Sequence, residues 1–291
     1  MDDFRPIAHV QNELGEGVLW DPDEQVLYWL DILGRTVFRY DPVEDTHQRY
    51  DVGTRFTVLG LREHGGFVVG TADGLAYWDP ERLQLNPIAD PTASQPQVRF
   101  NDGAVDPLGN FWAGTMNEVD EKRAEGVLYR LDPDGTIREM GTGFTVSNGI
   151  GWSPDGETMY FTDTQRRSIL AFDFDLETGL IDNRRVFVEV PPDRGFPDGL
   201  TVDGEGFVWS AGWGGWCLTR YAPTGEVERQ VRLPVSNVTS CAFGGADLDE
   251  LYITSARVTL SDDDLAAQPL AGDLFRLKTG VQGQKEYRFK G

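Results

Sequence analysis

The sequence predicts an all-β fold, a six-bladed β-propeller with four antiparallel strands in each blade. Three observations carry this. First, one block recurs six times: a short apolar strand, a tight polar turn, then a strand rich in aromatic and β-branched residues. The copies are LGEGVLWDPDEQVLYWLD (14–31), VLGLREHGGFVVGTAD (58–73), NDGAVDPLGNFWAGT (101–115), SNGIGWSPDGETMYFTD (147–163), PDGLTVDGEGFVWSAG (197–212) and VTSCAFGGADLDELYIT (238–254). Second, aligning their turns on Pro22, His64, Pro107, Pro154, Gly204 and Gly245 spaces the blocks 42, 43, 47, 50 and 41 residues apart. That period suits one four-stranded blade per unit. Third, 34 Gly and 16 Pro suit a fold with many turns. The repeat runs from about residue 10 to the end without a linker, so residues 1–291 are expected to form a single domain.

The fifth repeat shows the elements in order. Gly199–Val202 reads as an inner strand and Phe207–Ala211 as its return. Cys217–Tyr221 is a third strand, and Val227–Leu233 alternates as a half-exposed outer strand should. Because neighbouring strands run antiparallel, the start of each inner strand shares a face with the end of the second strand. On that face, here the top, lie Glu16, Asn101, Asn148 and Asp198, joined by Asp31, Met116 to Glu118, Asp163, Thr164, Trp213 and Ser255 to Arg257. The turns at Pro22, His64, Pro107, Pro154 and Gly204 fall on the bottom. The ring has to close. The end of the chain offers GDLFRLK (272–278) and EYRFKG (286–291), and the N-terminal strand PIAHV (6–10) is expected to complete the last blade.

Composition excludes several classes. The net charge of −22 opposes binding to nucleic acid or to an anionic membrane. It is compatible with cation binding or a salt-adapted host, and a solvated acidic surface accounts for most of it. The chain lacks an 18-residue apolar run, and the start MDDFRPIAHV lacks the basic and apolar regions of a secretory signal, so a cytoplasmic protein is expected. Cys217 and Cys241 suit buried free thiols. A monomer is expected.

At the top mouth Glu16, Asn101, Asn148 and Asp198 present two carboxylates and two amides. Burying like charges together is costly unless a cation offsets them. Oxygen ligands suit hard divalent ions such as Ca²⁺, Mg²⁺ or Mn²⁺; Ca²⁺ is expected first, and Zn²⁺ and Fe²⁺, borderline ions, stay as further alternatives. The competing reading is local: NDG, SNG and PDG are common turn tripeptides, in which Gly takes positive φ. The residues alone leave both open. His9, His47 and His64 all fall away from the mouth, which argues against a histidine-based hydrolase. Trp213 is a candidate apolar rim, and Arg257 a candidate mouth residue.

The blocks LGEG, RFNDGAVDPLGNFWAGTM, SNGIGWSPDG and FPDGLTVD and the triplet SAR (255–257) resemble the regucalcin/gluconolactonase family of six-bladed propellers, which includes luciferin-regenerating proteins and bacterial sugar lactonases. The resemblance implies metal-dependent hydrolysis of an aldonolactone. It implies Glu16, Asn148 and Asp198 as ligands of one divalent ion, Asp198 also as general base, and Arg99 and Asn101 as substrate contacts. Glu118 corresponds to the family's acidic substrate contact but lies one place early, where Val119 holds the equivalent position. Arg99 and Asn101 offer donors and no apolar pocket, so small sugar lactones are expected over acyl-chain lactones. A different hydrolase on the same site and a non-catalytic calcium-binding propeller are the alternatives.

Overall fold

The computed structural model describes residues 4–291. Their strands form six four-stranded antiparallel sheets. The inner strands, in order, are Gly15–Asp21, Phe56–Leu61, Val98–Val105, Ser147–Trp152, Phe196–Val202 and Val238–Gly244. Each touches the inner strand on either side, and the sixth touches the first, so the ring is closed. Phe4–Ala8 pairs with Leu274–Lys278 and supplies the outer strand of blade six, as expected from the sequence. EYRFKG does not join a blade.

Six apolar clusters hold the ring, one in each gap between adjacent blades. The second strands supply the largest side chains. Trp29, Trp112 and Trp209 are fully buried there. Each indole N–H still finds an acceptor: Asn12 Oδ1, Asp106 Oδ2 and Asp203 Oδ2 respectively. Asp106 and Asp203 also accept backbone N–H groups of the turns that follow them, so one buried carboxylate fixes both a turn and a core tryptophan.

Every inner strand carries a bulge at the same level. The pairing register with the second strand shifts between Glu16 and Leu19, Phe56 and Val58, Phe100 and Gly103, Asn148 and Ile150, Pro197 and Leu200, and Val238 and Cys241. The NDG, SNG and PDG tripeptides are therefore strand segments, not turns. Their glycines, Gly103, Gly149 and Gly199, do not take positive φ, whereas Gly17 of LGEG does, at 55°. Gly149 and Gly199 are there for contact between blades, and Gly103 for close approach to Trp112 O on the second strand of its own blade. A Cβ on Gly149 would strike the backbone of Leu200, and one on Gly199 would lie 2.5 Å from Ser240 Oγ.

The bulge pairing also corrects one turn. Arg62 N–H bonds Gly66 O as Asp106 N–H bonds Asn110 O. Glu63, one place before His64, is thus the counterpart of Pro107. The upper ring position of blade two is Thr57.

The bottom is closed by the C-terminal segment 281–291, which reaches every blade. Gly283 N–H bonds Leu248 O, Gln282 O accepts Gly204 N–H, and Gln284 Nε2 donates to Trp152 O and Val202 O. Phe289 exchanges backbone bonds with Leu61 and Glu63, Lys290 N–H reaches Gly109 O, and Arg288 pairs with Asp21 at 2.6 Å. Above this strap lies an axial cavity of about 100 Å³, with Asp102 near its upper end and Glu286 in its floor.

Two outcomes follow for stability. Removing residues 1–8 deletes the outer strand of blade six, and loss of its ladder and packing should cost on the order of 3 kcal/mol or more; a denaturant midpoint equal to that of the full chain would show that the strand does not close the ring. Burial pushes the Glu286 carboxyl up to about 7. The folded state then holds a proton that the unfolded chain releases near its ordinary carboxylate value, so this residue costs stability as pH rises toward 7 and above. Glu286→Gln should raise Tm at pH 8 while changing it little at pH 4.5. An equal shift at both would mean the carboxyl does not titrate as described.

Candidate active site

The bulges decide which side chains meet. In a regular strand, successive residues point to opposite faces. A bulge re-aims one of them, and here the equivalent positions of the six blades make an upper ring, of which Glu16, Asn101, Asn148 and Asp198 line the mouth. That ring is Glu16, Thr57, Asn101, Asn148, Asp198 and Thr239. A mouth of about 450 Å³ opens above it.

Glu16, Asn148 and Asp198 converge on the floor of this mouth, 8 %, 5 % and 4 % exposed. Glu16 Oε2 accepts the Gly17 N–H at 3.1 Å. Asp198 receives no backbone N–H among the described residues; its hydrogen-bonding neighbour is the Asn148 amide. Burial raises the Asp198 carboxyl well above the ordinary range, and the Glu16 and Asp102 carboxylates add to it. Burial likewise raises Glu16, with Asp102 second, opposed by the Gly17 N–H and by Arg99. Asn148 Nδ2 donates to Thr164 Oγ1 at 3.1 Å, which fixes the amide and leaves Oδ1 without a protein donor among the described residues. Two under-solvated carboxylates and a free amide oxygen on one floor fit a hard cation: its charge would offset what the protein leaves uncompensated.

Asp102 was not singled out in the sequence. It lies one residue deeper than Asn101, within the bulge, and accepts the Gly103 N–H at 2.7 Å. Burial raises its carboxyl too. It lines the axial cavity rather than the mouth, and the described residues contain no cluster of three acidic, His or Cys side chains spaced to hold one metal. Asp102 thus acts on Glu16 and Asp198 as a negative charge from below.

One side of the mouth is a chain of charged groups. Glu118 is held by Arg55 through two bonds, Nη1 to Oε2 at 2.8 Å and Nη2 to Oε1 at 3.3 Å, and by Arg99 Nε at 3.1 Å. Arg99 Nη1 donates to Phe100 O and to Asn101 Oδ1, and Asn101 Nδ2 donates to Ser147 O. Glu118 therefore reaches the mouth despite its offset, while Val119 is 81 % exposed and points away. Arg55 was missed. The signal was present: RFT (55–57) in blade two repeats RFN (99–101) in blade three, with Phe56 and Phe100 both buried beneath.

The other side is apolar: Leu14, Ile32, Leu33, Phe196, Trp213 and Val258 line it. Loops after the second strands of blades one and six bring in Ile32, Leu33 and Val258, which extend the apolar surface beyond the expected Trp213. Trp213 takes its expected place on the rim. Arg257 does not line the mouth; its neighbours Val258 and Thr259 do. Asp31 and Asp163 are structural. Asp31 accepts the N–H groups of Glu13, Leu14 and Gly34, and Asp163 accepts the Thr145 N–H and hydroxyl.

A family profile described as the SMP-30/Gluconolactonase/LRE-like region matches residues 14–257. The chain belongs to this family. Among its relatives are a pentonolactonase of Haloferax volcanii, 38 % identical over 283 residues and covering 94 % of each chain, and human regucalcin, 35 % identical over 285 residues and covering 95 % of each. Among solved structures, a calcium-binding regucalcin from Agrobacterium tumefaciens superposes with TM-score 0.95 at 29 % identity, covering 100 % of this chain and 98 % of that one. A luciferin-regenerating enzyme superposes with TM-score 0.92 at 30 % identity over the whole of both chains.

The floor makes a prediction independent of catalysis. Asp198→Asn removes one buried charge and keeps the shape. Cation affinity should fall more than about a hundredfold, while chelator-treated protein should be at least as stable as the unsubstituted chain, because charge repulsion is relieved. Calorimetric titration with Ca²⁺ and melting in excess chelator read both; undiminished affinity would remove Asp198 from the ligand set.

Proposed function

We propose that the protein is a sugar lactonase, hydrolysing an aldonolactone to the aldonic acid with one divalent cation held by Glu16, Asn148 and Asp198. The observation that carries this reading is the pairing, in one mouth, of a cation-demanding acidic floor with the Arg99–Asn101–Glu118 donor wall. A relative named pentonolactonase at 38 % identity supports it.

A cation on this floor would act as a Lewis acid on the lactone carbonyl. The rest is done by the chain. Arg99 keeps two N–H donors on Nη2 after its bonds to Glu118, Phe100 and Asn101, and Asn101 keeps one on Nδ2. These orient the ring oxygen and hydroxyl groups. Glu118 and the Phe100 carbonyl lock the guanidinium, so little entropy is lost when substrate arrives. Asp198 holds the proton of the attacking water, since it is the floor carboxylate without a backbone N–H to lower its basicity. The water oxygen bonds to the carbonyl carbon, the ring C–O bond breaks, and the proton passes to the leaving ring oxygen. Phe196 and Trp213 on the opposite wall offer apolar surface to the C–H side of a sugar ring and limit water there.

Calcium binding without catalysis is the second reading, favoured by the relatives named regucalcin, one of them titled a calcium-binding protein. Acid release from xylono-, arabinono-, glucono- and galactonolactone, with and without chelator, separates the two. Activity should require the cation and return when it is restored. Cation binding with no turnover of any lactone would favour the second reading. Arg99→Ala should lower kcat/KM on an aldonolactone by about ten- to a hundredfold, the worth of a charge-assisted hydrogen bond, and leave cation affinity within about twofold. Arg99→Ala with wild-type kcat/KM would remove the donor wall from the mechanism.

A further inference from the structure

We infer that Arg55 is a specificity residue of this site, reading the hydroxylated side chain that projects from the lactone ring; this rests on the lactonase reading above. The argument begins with donors. A guanidinium carries five N–H groups. Arg55 spends two of them on Glu118 and keeps three, and Arg99 spends three and keeps two. This wall therefore offers five N–H donors to a ligand. Glu118 accepts three hydrogen bonds from the two arginines, two on Oε2 and one on Oε1. Its oxygens have little acceptor capacity left. The wall is built to meet oxygen acceptors.

Depth separates the two arginines. The Arg99 side chain is 10 % exposed and bonded to the ring residue Asn101, so it stands beside the reacting end of a bound lactone. The Arg55 side chain is 29 % exposed on the same mouth. It stands further out, toward the part of the substrate furthest from the acidic floor. For an aldonolactone with its carbonyl on that floor, the outward part is the exocyclic chain and its hydroxyl groups. The bidentate pair with Glu118 keeps the Arg55 guanidinium in one plane, so its remaining donors point in fixed directions. Blades two and three thus present the same arginine position twice, at two depths.

The test compares two substrates. Galactono-1,4-lactone carries an exocyclic hydroxylated chain and erythrono-1,4-lactone carries none. Arg55→Met should lower kcat/KM on the first about tenfold, mostly through KM, and on the second by about twofold or less. Cation affinity and Tm should stay near those of the unsubstituted protein. Arg55→Lys keeps the charge without the fork and should recover part of the loss on galactonolactone. Equal losses on both substrates would assign Arg55 a merely structural hold on Glu118 and overturn the inference, as would no loss on either. If Arg55→Met does not fold, Arg55→Lys is read the same way, and an unchanged ratio of the two substrates overturns the inference. An unsubstituted protein active on lactones whose variants keep its selectivity sinks this inference alone. A protein inactive on every lactone sinks the lactonase reading and this inference with it.

Discussion

Inner strands of a closed ring must pack edge-on at the axis, where there is no room for ordinary alternation of large side chains. The chain meets this constraint with the same device in all six blades, a bulge at the start of the inner strand. In blades four and five a glycine, Gly149 or Gly199, follows the upper ring residue, and its missing Cβ lets the next blade approach. The functional mouth depends on that geometry. Without the bulge, Glu16, Asn148 and Asp198 would not share a floor, and Asn101 would not lie beside Arg99. The packing constraint and the site are set by one local distortion of the backbone.

Electrostatics then divides the mouth. Below are Glu16, Asp198 and, deeper, Asp102, each pushed toward its neutral form by burial, with Asp102 adding to this at Glu16 and both adding to it at Asp198. To one side Arg55 and Arg99 grip Glu118 between them, and Glu121 lines the mouth beside them. The opposite wall carries no charge. A ligand that satisfies all three regions has an electron-rich carbonyl that can meet a cation, several oxygen acceptors along one edge, and an apolar face. A polyhydroxylated lactone ring has these features in this arrangement. A long acyl chain would use the apolar wall and leave the arginine donors unmet.

Much of this was legible in the sequence. The propeller followed from the block period, and the closing strand from the need to remove an open edge. Glu16, Asn101, Asn148 and Asp198 were found because they recur at the same point of the repeat. What escaped had physical reasons. Asp102 follows Asn101, and strand alternation would send it away from the axis; the bulge that keeps it near is invisible to a two-residue period. Arg55 was hidden by aligning blade two on His64 instead of Glu63, which shifted its RFT segment out of step with RFN. The apolar wall comes from loops, where periodicity says nothing about direction. The glycines of NDG, SNG and PDG were read as turn formers when close contact is what excludes a side chain, with the next blade at Gly149 and Gly199 and with the paired strand at Gly103.

The strap across the bottom has a consequence for how the ring is reached from the unfolded chain. Blade six needs Phe4–Ala8 from one end, and the channel floor needs residues 281–291 from the other, each binding partners across most of the chain. Such distant pairings are slow to form, because loop-closure entropy is lost before any contact rewards it. Individual blades are local meanders and can form early. The cooperative step is the joining of the two ends, and until it occurs the first and last blades expose apolar sides meant for each other. Synthesis order then places the vulnerable interval late, after five blades exist and before the strap has docked, which is when such a chain is most exposed to aggregation.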